Sequence, residues 1–149
     1  MLAGLCLAGC GGETSTPSQS STGILCANET RADTFRVGLE KSASAWTARL
    51  QDSQVEGLFG PPDRGFNTWA LEIVDVSGAP MSPEEVKLKP WMPDHGHGTT
   101  PLVHYGVEEG GQYTLGPFDL HMGGFWEFTV TVTTGGAEEQ VKFGFCVEG

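Results

Sequence analysis

Apolar residues recur at every second position in short blocks, and glycine or proline closes each block. The clearest block is TWALEIVDV, residues 68–76. It sets Trp69, Leu71, Ile73 and Asp75 on one side and Ala70, Val74 and Val76 on the other. Side chains of an extended chain alternate between faces, so a period of two builds a half-buried strand and not a helix. The same period runs through residues 34–41 (TFRVGLEK), with Phe35, Val37 and Leu39 on one face. It continues in 46–51 (WTARLQ), 86–91 (VKLKPW), 102–107 and 112–118. Residues 125–133 (FWEFTVTVT) and 141–147 (VKFGFCV) read as a hairpin through TGGAEE. Pro90 has no N–H to give a ladder, so it marks an edge strand or a strand end. The stretch EGLFGPPDRGFN reads as an irregular loop. Ser82-Pro83-Glu84-Glu85 has a helix-capping pattern, but KLKP stops any helix within a turn.

About seven to eight strands at roughly 10-residue spacing, with no helix, predict an all-β fold: an immunoglobulin-like antiparallel β-sandwich. The chain's 149 residues suit one such domain. No apolar run reaches the roughly 18 residues that cross a bilayer as a helix. The formal charge is −11 with only eight Lys and Arg, which argues against nucleic acid as a partner.

The N-terminus reads MLAGLCLAGCGGE. Leu7-Ala8-Gly9-Cys10 resembles a bacterial lipobox, in which the cysteine is lipidated and becomes the mature N-terminus. No basic residue precedes the apolar run, a departure from a full signal peptide that a truncated start would leave. GGETSTPSQSSTG then has the composition of a tether with nothing to bury. The expected organisation is a signal segment at 1–9, a lipidated Cys10 and tether at 10–25, and a folded domain at 26–149. Gly11, in place of aspartate, favours the outer membrane by resemblance to Gram-negative lipoproteins. Export leaves Cys26 and Cys146, one near each end of the domain, as a disulfide pair in an oxidising compartment. Closing so long a loop is worth at most about 5 kcal/mol in the chain-entropy model.

Metal-ligand residue types concentrate in two places. PWMPDHGHGTTP, residues 90–101, carries Met92, Asp94, His95 and His97; LHMGGFW carries His121 and Met122. In extended chain the His95 and His97 rings point the same way, and Gly96 and Gly98 allow them to converge on one ion. Imidazole suits copper, zinc or nickel, and thioether shifts the choice toward Cu(I). Asp94 is expected to ligate or to orient a ring nitrogen. Two neighbouring loops of a sandwich can bring His121 and Met122 to the same place. The competing reading is a proline-bounded turn whose histidines face water and whose methionines fill the core. His104, alone on a strand, reads as structural or exposed. No hydrolase motif is present, and the adjacent acids Glu84-Glu85 and Glu108-Glu109 point apart on turns.

GFNTWALEIVDVSGAPM, VKLKPWMPDHGHGTTP and GGQYTLGPFDLHMGGFWEFTVTV together resemble the YtkA-like domain, related to FixH-type periplasmic domains. The shared pattern is a strand ending in Asp and Gly, a Met-Pro-His-Gly loop, a Gly-Tyr turn and a Met-x-Gly-x-Trp strand. The resemblance covers residues 34–146. It implies an exported immunoglobulin-like domain of a kind found near copper-handling and cytochrome oxidase assembly proteins. It thereby adds weight to copper at Met92, His95, His97 and Met122, with His121 as an alternative ligand. The tether and the Cys26/Cys146 pair are departures from simpler members.

The expected function is a lipid-anchored copper carrier or buffer on the periplasmic side of the cell envelope. It is not expected to be an enzyme, and an envelope or metal-handling protein is its expected partner. The alternative is a metal-free interaction module binding an envelope partner.

Overall fold

The computed structural model describes residues 26–105 and 109–149. The expected signal segment, the lipidated Cys10, the tether and Glu108 lie outside the described residues. Ten strands follow one another: β1 (Leu39–Ser42), β2 (Trp46–Val55), β3 (Leu58–Phe59), β4 (Gly65–Asp75), β5 (Glu85–Met92), β6 (His97–Gly98), β7 (Leu102–Tyr105), β8 (Gln112–Leu120), β9 (Gly124–Thr134) and β10 (Ala137–Val147). They form two antiparallel sheets. One runs β1-β2-β4-β8 with β3 beside β2; the other runs β10-β9-β5-β6 with β7 also on β5. This is the expected β-sandwich, and its two extra strands, β3 and β6, are each two residues long.

Alternation decides which side chains enter the space between the sheets. From β4 these are Asn67, Trp69, Leu71 and Ile73; from β9 they are Trp126, Phe128, Val130 and Val132. Trp69 is the hub. Its ring centroid lies 4.5 Å from Phe128 and within 6.0 Å of Phe118, Phe143 and Phe145. The Phe118, Phe143 and Phe145 contacts are edge-to-face, and such pairs add to the stabilisation from buried area. Asp75 ends β4 as expected: its carboxylate accepts the N–H groups of Ser77 and Ala79 and so builds the SGAP turn.

Three expectations change. Residues 34–41 are not one strand: Gly38 takes a φ of +79° and donates its N–H to Leu50, so regular pairing starts only at Leu39. Val37 is therefore 49% exposed, while Phe35 packs at the sandwich edge near Phe59 and Phe145. Pro90 is neither at an edge nor at a strand end. β5 has β9 along one side, and along the other β7 pairs as far as Leu88 while β6 resumes at Trp91. Pro90 falls in that interruption, where no ladder needs its missing N–H. Inside the proline-rich loop, Glu56 and Gly57 (φ 51° and 80°) make a two-residue turn that folds β3 back onto β2. Gly135 and Gly136 do the same for the expected β9–β10 hairpin.

The Cys26–Cys146 disulfide is present, with the Cα atoms 5.6 Å apart. It fastens the segment before β1 to β10. Asp33 strengthens the attachment, because its backbone and carboxylate both bond the backbone of Gly144 and the carboxylate also pairs with Lys41 at 2.5 Å.

Candidate metal site at one end of the sandwich

β5 continues to Met92, turns through residues 93–96, and returns as β6. Met92 pairs directly with His97, so the two side chains lie on the same inner face. Met92 is fully buried in the core, and its methyl lies beneath Gly124. His97 stands where the inner face opens to solvent, and it is only half-buried. There it meets His121, which follows β8 from the opposite sheet. The two rings stack with centroids 5.3 Å apart and planes at 27°. His95, on the turn itself, is exposed and sits 5.7 Å from His97. Two imidazoles bound to one ion, each nitrogen about 2 Å from the metal, have centroids roughly 5 Å apart. The His97/His121 pair has that spacing. Among the described residues, no three His, Cys, Asp or Glu side chains are arranged to hold a metal ion together.

The other sequence-predicted residues divide. Met122 is half-buried and packs against the core. Its carbonyl accepts the Trp126 indole N–H at 3.0 Å, which pins the 121–124 loop, and Trp126 also presents its ring edge-on to His121. Asp94 does not orient a ring nitrogen. Both its oxygens accept from Arg31, at 2.9 and 2.6 Å. Arg31 also pairs with Glu29 and lies over the Phe125 ring at 4.3 Å. The guanidinium holds the Asp94 carboxyl below its ordinary range. His104 is remote from this cluster and packs edge-on against Tyr113.

The glycines of the loop have two different jobs. Gly96 takes a φ of +69°, which the turn requires. Gly98 is needed for space: a Cβ there would strike the Pro90 carbonyl and come within 2.9 Å of the Trp91 Cα. Neither glycine is explained by an ion. Sequence reasoning missed Arg31 and Trp126. The spacing of His121 and Trp126 within LHMGGFW was a usable signal for the second; nothing local pointed Arg31 at a residue 63 positions away. Beside His121 a groove of about 600 Å³ opens, edged by the carboxylates of Asp63, Asp119 and Glu148.

Residues 43–131, more than half of the chain, match the YtkA-like family. The chain belongs to that family. No curated protein and no solved structure matches it. The YtkA-like match is narrower than residues 34–146. It contains Met92, Asp94, His95, His97, His121, Met122 and Trp126, and it excludes Arg31 and both disulfide cysteines. In this YtkA-like chain the imidazole cluster thus lies within the family's span, while Arg31, which clamps its loop at Asp94, and the disulfide lie outside it.

Proposed function

We propose that this YtkA-like chain is a copper-binding protein of the cell envelope, a carrier or buffer and not an enzyme. In this reading Cys10 carries a lipid that anchors it to the outer membrane, and an envelope or metal-handling protein is its partner. The observation that carries the proposal is the His97/His121 stack, in which loops from opposite sheets present two imidazoles at the spacing one ion requires. His95 would complete the set by a rotation about the Gly96 turn, and Met122 is the nearest soft donor in sequence. Met92, buried in the core, is left out of this set. An exposed set dominated by imidazole accepts and releases metal readily, as a carrier needs.

The test is titration of the purified protein with copper, read by calorimetry and metal analysis. One equivalent is expected to bind, and His97→Ala/His121→Ala to abolish it. Binding of the double variant at wild-type affinity would place the copper elsewhere.

A metal-free interaction module is the second reading. It is favoured by the Arg31–Asp94 clamp and the buried Met92, which give the loop an architectural reason of its own. Under it the double variant changes partner capture and not metal content.

A further inference from the structure

Three of the chain's eight cationic side chains line one groove of about 340 Å³ on the outer face of the β10-β9-β5 sheet. Its shape follows from the register. Thr129 and Thr131 on the middle strand β9 form a low floor. Lys89 and Lys142 rise on either side of Thr129, and Lys87 and Gln140 on either side of Thr131. The walls are two strand spacings apart, about 10 Å. Trp91 closes one end, with the Lys89 ammonium 4.8 Å from its ring centroid.

The charge is distinctive. Glu127 is the one carboxylate among the groove's lining residues, and Glu85, just beyond the groove on β5, pairs with Lys87 at 2.9 Å. Lys142 pairs with Glu127 at 2.8 Å and is half exposed, so the pair is readily exchanged for a ligand carboxylate. Lys89 has no carboxylate partner among the described residues.

We propose that this groove binds a carboxylate-bearing glycan. Lys89 and the exchangeable Lys142 favour an anion. The rest of the lining selects a sugar over an acidic peptide. A peptide added to a sheet binds along an edge through backbone groups, and here the ladders on both sides of β9 are filled. What the face offers instead is hydroxyls, an amide and an indole. These match sugar hydroxyls and the apolar face of a pyranose ring. The site lies on a different surface from the histidines and does not depend on the metal reading.

The experiment is calorimetric titration of the full chain with an oligogalacturonate. An uncharged oligosaccharide of the same length and polyglutamate serve as comparators. The oligogalacturonate is expected to bind saturably and more weakly as salt rises. Lys89→Gln/Lys142→Gln is expected to raise Kd at least about tenfold with an unchanged melting temperature. Thr129→Val, which keeps the shape of the floor, is expected to raise it several-fold. No oligogalacturonate binding, equal binding of either comparator, or an unaffected Lys89→Gln/Lys142→Gln variant would each overturn the proposal.

Discussion

The two ends of the sandwich close the same opening with different chemistry. At the end where β5 turns into β6, the inner face is capped by His97 and His121, with Trp126 beneath them. At the β9–β10 hairpin end, the gap is an apolar recess of about 280 Å³ edged by Trp46, Met81 and Val132. Each end is cross-linked by a carboxylate. Asp94 is held by the Arg31 guanidinium, whereas Glu139 accepts from the Ser44 hydroxyl and the Ala45 N–H. The indoles differ too: Trp126 donates to Met122, but the Trp46 N–H finds no acceptor among the described residues. The fold thus supplies two similar mouths, and the capping side chains place imidazoles at one and a tryptophan-lined apolar recess at the other. The histidine end is also the end to which the chain before β1 is fastened, by the Cys26–Cys146 disulfide.

Removing that fastening should give the largest effect. Cys26→Ala/Cys146→Ala is expected to cost up to about 5 kcal/mol in denaturant unfolding. Amide exchange should rise at residues 26–33 and 93–98 and stay slow at residues 44–46 and 134–137. Equal loosening of both ends would erase the distinction between them. Next comes the contrast inside the β5–β6 turn. Met92→Ala is expected to cost about 2–4 kcal/mol, because it empties a core position. His95→Ala, on the exposed turn, should change stability by about 0.5 kcal/mol or less. Similar costs would mean that the boundary between core and site is misplaced.

The two loop glycines come next. Gly98→Ala is expected to destabilise by about 1–3 kcal/mol through the clash with Pro90 and Trp91. Gly96→Ala, which only forces alanine into a left-handed turn, should cost about 1 kcal/mol. A melting series that reversed this order would exchange their roles. The smallest effect concerns the two carboxylates. Asp94 is held below its ordinary 3.8 by hydrogen bonds from Arg31, and Glu139 below 4.5 by the Ser44 hydroxyl. A depressed carboxylate stabilises the fold above its ordinary value, and that contribution is lost as pH falls through the folded one. Acid should therefore loosen both ends slightly. Added salt should loosen only the histidine end, where the partner is a charge. Exchange rates measured at both ends in acid and in salt would separate the two.

Much of the fold was legible because a sheet writes its period into the chain. Trp69, Leu71 and Ile73 announced the inner face of β4, and the double glycine announced the last hairpin. The reading failed where a single backbone angle or a gap between neighbours overruled the pattern. Gly38 broke the alternation of Phe35, Val37 and Leu39. Pro90 was tolerated inside a strand because two different strands flank it end to end. The site was half legible. Its histidines stood out by residue type, but one chain cannot say which side of a strand end opens to water. Met92 and His97 therefore looked equivalent until their shared inner face proved closed over one and open over the other.

The sequence by itself determined the sandwich, the cysteine pair and the clustering of imidazole and thioether side chains in two loops. Those are local matters of period, composition and spacing. The tertiary structure decided that His97 meets His121, that Arg31 clamps Asp94, that Gly98 serves packing, and that three lysines share a groove. Each of these depends on which strands become neighbours. That choice is settled by burying Trp69 and its partners between two sheets, and no single segment carries it.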